Sequence, residues 1–341
     1  MFAAAARYPG SGVHHPYLCG GLRQRDAGRT RNPARRSALT SGQTCKETEH
    51  HMTGIIRRSL LGAGLVAAAA GLGWWRWGGG AADVAYGPGE RQVFDVTLPR
   101  GAGPFPVLLM IHGGAFQSGD KSDLAIPPEV LAAGIAVVRM NYRLSATDAW
   151  PAQAEDGLAA VVHLQRQGAE LGVDPSRMVL LGQSAGAFLA VSTALSLVEV
   201  GLPPKAVVSL FGPMDFSTLD ADMAKLQRVP VMGPADAAES PESRLLGYPV
   251  GENRAAARAM GPLGRLDRIR EPLPPIFIRH GDADPVVADL QARRLRDAWL
   301  AADPSAKVDY ALVPGAGHGG EAFETGKVSA ERLAFLQAAL S

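Results

Sequence analysis

The chain has 341 residues, of which 47% are hydrophobic, and a formal net charge of +1. This balance excludes an intrinsically disordered protein. The charge is unevenly placed, because residues 1–51 hold eight Lys and Arg against three Asp and Glu, whereas residues 89–341 hold 23 against 29. A mildly acidic C-terminal region does not favour nucleic acid as a partner.

Residues 1–51 are rich in Arg, Gly, Ser and Pro and show no sustained apolar period. We therefore predict an unstructured extension, and translation from Met52 would remove it altogether. Both cysteines, Cys19 and Cys45, lie in this extension. The remainder of the chain consequently has no disulfide framework, no cysteine metal site and no thiol nucleophile.

Residues 52–85 carry the pattern of an export signal. Arg57 and Arg58 precede an apolar run over residues 60–75, and small residues follow near Gly80, which is the order of a signal peptide. The paired arginines resemble a twin-arginine signal. The alternative is an uncleaved membrane anchor, although 16 apolar residues are short for a full crossing. We predict an exported protein, periplasmic or secreted, with membrane anchoring through this segment as the alternative.

From residue 86 to residue 341 we predict one α/β domain. Its predicted strands alternate with helices, which indicates a mostly parallel central sheet with helices on both faces. The predicted strands are 91–98, 106–111, 136–140, 178–182, 206–210, 275–280 and 308–313. The predicted helices are 124–133, 151–167, 187–198, 286–301 and 321–340.

An insertion at residues 212–273 interrupts this alternation. It is rich in Pro, Ala and Gly and has no clear strand. A long insertion near the functional edge of an α/β sheet usually serves as a lid or a substrate wall, and we predict a wall here. The alternative is a surface excursion without a role in function.

The segment around Ser184 has the features of a nucleophile elbow. Four apolar residues at 178–181 precede the sequence GQSAG, and an apolar stretch of helical length follows. The glycines let the strand and the helix approach closely, and the serine hydroxyl stands clear of the tight turn. We predict that Ser184 is a catalytic nucleophile. The alternative is a chance match of this short pattern to a structural turn.

The sequence HGGA, after the strand predicted at 106–111, indicates an oxyanion hole. Its backbone N–H groups, at Gly113, Gly114 and Ala115, can stabilise a negative oxygen together with the N–H of Ala185 at the helix start. We expect Gly114 and Ala115 to be the donors from this loop. We expect His112 to hold the loop rather than to transfer protons.

Two later loops offer an acid and a base at the carboxyl ends of strands, where functional groups gather in α/β sheets. The order Ser184, Asp284, His318 is the order expected after a nucleophile elbow. His318 would accept the serine proton, and Asp284 would hold its tautomer. Asp282 could also reach His318, but Pro285 restricts Asp284 to extended conformations that help to aim its side chain. We therefore choose Asp284 and expect Asp282 to cap backbone N–H groups.

No cofactor and no metal are predicted. The sequence GAGHGG at residues 315–320 fits a dinucleotide-binding pattern, but only 21 residues follow it and that fold needs a further βαβ unit. There is also no H-E-x-x-H sequence and no cluster of metal ligands after the extension at residues 1–51.

Several sequences between residue 90 and the C-terminus resemble the α/β-hydrolase superfamily. Within it they are similar to the carboxylesterases related to the bifunctional feruloyl/acetyl-xylan esterases and the hormone-sensitive-lipase-like esterases. The matching sequences are HGGAFQSGDKSD, MNYRL, WPAQAEDGLAAV, GVDPSRMVLLGQSAGAFLA, FGPMDF, HGDADPVV and PGAGH. Two departures are HGGA, where many relatives have a third glycine, and GQSAG, where lipase-like relatives often have GDSAG.

This resemblance implies an α/β-hydrolase fold and an ester substrate, either a small molecule or one linked to a polysaccharide. It also implies Asp284 as the acid, which stands three residues after Gly281 as in relatives. We predict a serine carboxylesterase that forms an acyl-enzyme on Ser184. The alternatives are an amide or peptide hydrolase with the same triad and a non-catalytic binding protein of the same fold.

Overall fold

The structure is a computed structural model that describes residues 79–341. The predictions for the extension at 1–51 and for the apolar run at 60–75 lie outside the described residues. Within residues 79–341, no helix combines the length and the apolar character needed to cross a membrane.

An eight-stranded sheet forms the centre of the fold, with the strand order β1-β2-β4-β3-β5-β6-β7-β8. Strand β2 is antiparallel to both of its neighbours, and all the other adjacent pairs are parallel. The predicted, mostly parallel sheet is therefore confirmed. The strands are β1 (Gly80–Ala85), β2 (Val93–Thr97), β3 (Phe105–Ile111), β4 (Ala136–Met140), β5 (Val173–Gln183), β6 (Ala206–Leu210), β7 (Ile276–Gly281) and β8 (Val308–Val313).

The helices of the described part vary widely in length. They are α1 (Pro128–Ala132), α2 (Ala152–Gln167), α3 (Ala185–Glu199), α4 (Leu219–Lys225), α5 (Pro241–Leu246), α6 (Arg254–Met260), α7 (Pro262–Leu266), α8 (Leu290–Ala302), α9 (Glu321–Glu324) and α10 (Gly326–Leu340). Short 3₁₀ turns form at Lys121–Asp123, Phe216–Thr218 and Val250–Glu252.

Both faces of the sheet are covered by helices. Alternate residues of β3 enter two separate hydrophobic clusters, with Leu109 in one and Leu108 in the other. Residues of α2, α3 and α8 join the first cluster, whereas residues of α1 and α10 join the second. Because central strands are buried on both faces, they read as unbroken apolar runs.

Helix α3 is buried almost throughout its length. Every residue from Ala185 to Val198 is buried, which agrees with a sequence that is apolar on all sides. The helix begins at Ala185, two residues before the predicted start, so it follows directly on Ser184. Ser184 is therefore held between a central strand and a buried helix.

Strand β1 was not predicted. It lies in the 52–85 segment that was assigned to an export signal or anchor, and it pairs with β2 at the edge of the sheet. Its residues, GAADVA, are mostly exposed, so they lack the apolar alternation that reveals half-buried strands. The sheet thus begins at Gly80, and the boundary expected between residues 85 and 86 is corrected accordingly.

Other differences arise where Pro or Gly interrupts a helix. The helix predicted at 124–133 is limited to α1, which starts at Pro128 after Pro127, because proline is tolerated only in the first turn. The helix predicted at 321–340 is split into α9 and α10 before Gly326, whose φ of +61° breaks the helical path. The insertion at 212–273 contains helices α4 to α7 and no strand.

Candidate active site

The turn between β5 and α3 holds Ser184 in a strained backbone conformation. Its φ of 54° and ψ of −122° are rare for a residue with a side chain, and such strain persists only where the surroundings enforce it. A Cβ atom on Gly182 would lie 2.0 Å from the Gly186 carbonyl oxygen, and one on Gly186 would lie 2.1 Å from the Ile111 carbonyl oxygen. Only glycine fits at these two positions, so the elbow prediction has a steric basis.

Three side chains from separate loops form a continuous hydrogen-bonded chain. The Ser184 Oγ lies 2.8 Å from the His318 Nε2. The His318 Nδ1 lies 2.7 Å from the Asp284 Oδ2. Because a carboxylate can only accept, Nδ1 carries a proton, and the Nε2 of the neutral ring is free to accept the serine proton. The structure thus brings together the three residues that the sequence singled out.

The Asp284 carboxylate is fully buried and is held by the backbone that follows it. Its Oδ1 accepts hydrogen bonds from the N–H groups of Val286, at 2.8 Å, and Val287, at 2.9 Å. Burial alone would raise the pKa of Asp284, but its interactions with His280 and His318 outweigh burial and hold that pKa well below its usual range. The carboxylate is therefore ionised beside His318.

Asp282 occupies a different position. Its Oδ1 accepts a hydrogen bond of 2.6 Å from the N–H of Gly315, in the loop that leads to His318. Asp282 thus connects the loops after β7 and β8, and the carboxyl group that is hydrogen-bonded to His318 belongs to Asp284.

The loop that carries His318 packs closely against β7. A Cβ atom on Gly281 would lie 2.2 Å from the carbonyl oxygen of Ala316, so this approach requires glycine at the end of β7. The ring of Phe211 meets the ring of His318 edge-on, with centroids 5.0 Å apart. Sequence reasoning missed Phe211, because nothing in the apolar end of a strand distinguishes a residue that supports a histidine.

Hydrogen bonds fix the direction of two carbonyl groups in the HGGA loop. The Gly113 oxygen accepts from the Tyr142 hydroxyl, at 3.2 Å, and the Gly114 oxygen accepts from the N–H groups of Gln117 and Ser118, both at 3.0 Å. In a trans peptide the N–H points opposite to the C=O. The N–H groups of Gly114 and Ala115 therefore point away from the groups that bind these carbonyl oxygens. The loop also lies close to the nucleophile, because a Cβ atom on Gly113 would lie 3.2 Å from the Ser184 Cβ.

His112 is buried and holds this loop from below. Its ring stacks on Tyr142 at 4.3 Å, and its Nδ1 lies 2.6 Å from the Gly113 carbonyl oxygen. Burial lowers the pKa of His112 in spite of that hydrogen bond, so the ring is neutral. Arg91 donates to the carbonyl oxygens of Tyr142, at 2.9 Å, and Gly119, at 2.7 Å. Arg91 and Tyr142 were missed, since their roles depend on contacts distant in sequence.

A pocket opens above Ser184, and the 212–273 insertion supplies most of its wall. The remainder comes from the HGGA loop, the elbow and the loop after Asp284. Most of the lining is apolar. The lining residues are Ala115, Phe116, Ser184, Ala185, Pro213, Leu219, Asp220, Met223, Pro230, Met232, Gly233, Ala235, Pro241, Glu242, Val286 and Val287.

Two carboxyl groups are the only ionisable side chains among these lining residues. Asp220 accepts hydrogen bonds from the backbone N–H groups of Ala235, at 2.7 Å, and Asp236, at 3.0 Å, so it fixes the wall. Burial, with a smaller contribution from the charge of Asp220, raises the pKa of Glu242 to about 7. Glu242 thus changes charge near neutrality.

The wall is fastened to the Asp284 loop by Arg228. Its guanidinium donates to the carbonyl oxygens of Asp282 and Asp284 and forms an ion pair of 3.3 Å with Asp289. Beyond it, the side chains of Val229, Val231 and Met232 are exposed, and Met232 also lines the pocket. In residues 79–341 no group of three or more His, Cys, Asp or Glu is arranged to hold a metal ion.

The sequence of this chain matches a known family and several known proteins. A family model described as BD-FAE matches residues 94–299, a range that includes Ser184 and Asp284 and ends before His318. Esterase LipQ of Mycobacterium tuberculosis is 29% identical over 263 residues, which cover 71% of this chain and 58% of LipQ. Carboxylesterase NlhH of the same organism is 34% identical over 116 residues, or 33% of this chain and 36% of NlhH. This chain thus aligns with 58% of the length of LipQ.

Solved structures share the same fold at low sequence identity. A truncated form of a carbohydrate esterase from gut microbiota superimposes with a TM-score of 0.66 at 24% identity, over 79% of this chain and 99% of that chain. A bacterial heroin esterase superimposes with a TM-score of 0.60 at 24% identity, over 88% of this chain and 92% of that chain.

Proposed function

Because this chain belongs to the BD-FAE family, as its motifs predicted, we propose that it is a serine hydrolase that cleaves carboxylic esters through an acyl-enzyme on Ser184. The α/β-hydrolase fold predicted from the sequence is confirmed by the sheet order and by the solved structures that share it. The observation that carries the proposal is the unbroken hydrogen-bonded chain from Ser184 through His318 to Asp284 at the pocket floor.

In the proposed reaction, the His318 Nε2 takes the Ser184 proton as Oγ attacks the ester carbonyl. Asp284 keeps the other ring proton on Nδ1 and stabilises the imidazolium that forms. His318 then donates its proton to the departing alkoxide. In the second half, His318 takes a proton from the water that attacks the acyl-enzyme. It then returns this proton to the Ser184 Oγ as the bond to the acyl group breaks and the acid is released.

We assign the oxyanion hole to backbone N–H groups of two segments, Gly113 to Ala115 and Ala185. Ala185 begins helix α3, where N–H groups have no intrahelical partner and the helix dipole is positive. The N–H groups of Gly114 and Ala115 point opposite to the hydrogen-bonded carbonyl groups of Gly113 and Gly114, which supports their assignment as donors from the loop. Each such donor is typically worth about 3–4 kcal/mol in the transition state.

Two other functions are possible for the same geometry. An amide or peptide hydrolase would use the same three residues, and a matched pair of ester and anilide substrates with one acyl group distinguishes it. A non-catalytic binding protein would use only the pocket, but its serine would have no need of the contacts to His318. The names of the relatives, which are esterases, favour ester hydrolysis over both.

Ser184→Ala tests the proposed nucleophile. A fluorophosphonate should label the wild-type protein once and should leave Ser184→Ala unlabelled, because only a serine activated by a base attacks phosphorus rapidly. Intact mass spectrometry measures the label, and hydrolysis of a short-chain ester should disappear in parallel. Ser192→Ala, which changes another serine of the same region within α3, is the control and should be labelled normally. Persistent labelling of Ser184→Ala would contradict the assignment.

Asp284→Asn tests the proposed acid against its neighbour. The amide leaves His318 in the wrong tautomer, which costs up to about 10⁴ in kcat where this has been examined. Asp282→Asn removes a carboxylate that bonds Gly315 instead of His318, so it should keep most of the activity. Steady-state hydrolysis of one ester, with circular dichroism to verify folding, measures both. The reverse order of activities would move the acid to Asp282.

The pocket supports a substrate whose buried part is uncharged. Its walls are apolar, and its ionisable lining groups are the carboxyls of Asp220 and Glu242, which would repel a second carboxylate in a poorly solvated space. We therefore propose esters with neutral acyl groups, on either a small alcohol or a polysaccharide. The second possibility follows from the carbohydrate esterase among the similar structures.

Glu242→Gln tests this selectivity. Above a pKa of about 7 Glu242 is ionised, so the preference of the wild type for a butyrate ester over the hemisuccinate ester of the same alcohol should rise about tenfold from pH 6 to pH 8. Any pH effect that is common to both esters cancels in the ratio of their kcat/KM values. In Glu242→Gln the ratio should be constant, whereas the control Glu239→Gln, an exposed carboxyl of the same insertion, should follow the wild type. A constant wild-type ratio would contradict the proposal.

We further propose that residues 52–85 direct export, with membrane anchoring as the alternative. The support is the order of Arg57, Arg58 and the apolar run at 60–75 in the sequence, while Gly80–Ala85 are also part of the sheet. Fractionation of cells that express the full chain should place esterase activity in the periplasm or the medium. Activity retained in the membrane fraction would indicate the anchor, and Arg57→Lys together with Arg58→Lys should leave the protein in the cytoplasm if the signal is of the twin-arginine type.

A further inference from the structure

A second histidine, His280, lies beside the Asp284 carboxylate and has no part in the proposed reaction. It belongs to β7 and is fully buried. Its Nε2 lies 2.9 Å from the carbonyl oxygen of Val287 and 3.1 Å from the Asp284 Oδ2, the oxygen that also contacts His318. His280 and His318 therefore contact the same oxygen of the Asp284 carboxylate.

The contacts of His280 define where its proton lies. A carbonyl oxygen only accepts, so Nε2 must donate, and the proton it shares points between Val287 and Asp284. Within the described part of the chain, Nδ1 is buried and has no hydrogen-bond partner. A proton on Nδ1 would have no acceptor, so the Nε2-protonated form of the ring fits the site.

His280 and Val287 together form a clamp on Asp284. Val287 donates its N–H to the Asp284 Oδ1 at 2.9 Å and accepts from His280 with its carbonyl oxygen. One residue of the loop is thus fixed at both of its polar backbone groups, once by the carboxylate and once by the histidine. Because β7 lies between β6 and β8 inside the sheet, the ring that fixes them belongs to a rigid element.

We propose that His280 is a positioning residue that holds the Asp284 carboxylate in the orientation His318 requires. This inference rests on the proposed hydrolase function. His280 acts through Asp284 and the backbone of Val287, and it does not touch the reacting atoms. The ring N–H of His280, a residue of β7, thus fixes the orientation of a carboxylate that lies on a loop.

Other charged groups near this carboxylate make different contacts. The Arg228 guanidinium donates to the backbone carbonyl of Asp284, at 3.3 Å, and pairs with Asp289. The Asp282 carboxylate is hydrogen-bonded to the Gly315 N–H. The titratable side chains in contact with the Asp284 carboxylate are thus His280 and His318.

Replacement of His280 by Leu and by Gln separates the effect of its hydrogen-bond donor from the effect of its side-chain volume. Leu fills the buried volume without a donor, whereas Gln can place an amide N–H near the position of Nε2. In His280→Leu we expect kcat to fall about tenfold or more, which is the effect of one lost hydrogen bond to a charged group, with KM unchanged. In His280→Gln we expect kcat within about threefold of the wild type, since the donor is restored.

The pH profile supplies a readout that simple packing would not change. With one donor fewer, the Asp284–His318 pair binds its first proton more tightly, so the acid limb of the kcat profile should move to higher pH in His280→Leu but not in His280→Gln. His163→Leu is the matched control, because His163 packs against Phe94 at 5.4 Å and makes no contact with the triad. Its kcat and pH profile should equal those of the wild type.

A measurement on the wild-type chain keeps the inference testable if His280→Leu does not fold. The ¹⁵N shifts of labelled histidines should show His280 protonated on Nε2, and a ring protonated on Nδ1 would overturn the inference. It is also overturned if Leu and Gln variants share one kcat and one pH profile and differ only in Tm. Wild-type protein inert toward both esters and fluorophosphonate would instead overturn the proposed function, while the ¹⁵N result would still report on the histidine.

Discussion

The close approach of the β5–α3 turn to the end of β3 is the constraint on which the site depends. The Gly186 Cα stands so near the Ile111 carbonyl that a Cβ atom would lie 2.1 Å from it, and the loop that follows Ile111 is the HGGA loop. The same contact therefore fixes the strained turn of Ser184 and places the N–H groups of that loop beside it. The strain is tolerated because α3 is buried from Ala185 to Val198 and cannot rotate away. The contact between Gly186 and the Ile111 carbonyl therefore positions both the nucleophile and the oxyanion donors.

Much of this arrangement could be predicted because it is written in short, local patterns. Central strands buried on both faces appear as apolar runs such as residues 107–111, and Gly182 is required by a contact with Gly186 inside the same short pattern. The choice of Asp284 over Asp282 followed from its spacing after Gly281, as in relatives, and from Pro285, which restricts Asp284 to extended conformations. Even the order of the three residues reflects the topology, because each stands after a strand of one parallel sheet and such ends meet at one edge.

What could not be predicted depends on contacts between distant parts of the chain. Strand β1 is held by backbone pairing, with mostly exposed side chains, so it leaves no hydrophobic pattern. Arg91 holds the HGGA loop from a position before β2, and its partners are carbonyl oxygens of Tyr142 and Gly119 that any residue could supply. His280 ends the strand predicted at 275–280, and nothing local in the sequence marks its contact with Asp284. Its neighbour in space is Asp284, but only the turn after Gly281 brings the two together.

The insertion at 212–273 was unpredictable for a different reason, and that reason bears on how the site works. Its helices are short, and they are fixed to the domain both by buried apolar side chains such as Phe216 and Leu245 and by polar contacts. Asp222 pairs with Arg294 of α8 at 2.6 Å, and Gln291 accepts the N–H groups of Met214 and Asp215. The groups proposed for chemistry stand on loops at the ends of β3, β5, β7 and β8, outside this insertion. The apolar residues of the insertion that line the pocket can therefore change without disturbing the turn at Ser184 or the hydrogen bonds of the Asp284 carboxylate. In such an arrangement the loops at the sheet edge carry the reaction, the insertion shapes the substrate pocket, and Arg228 joins the insertion to the Asp284 loop.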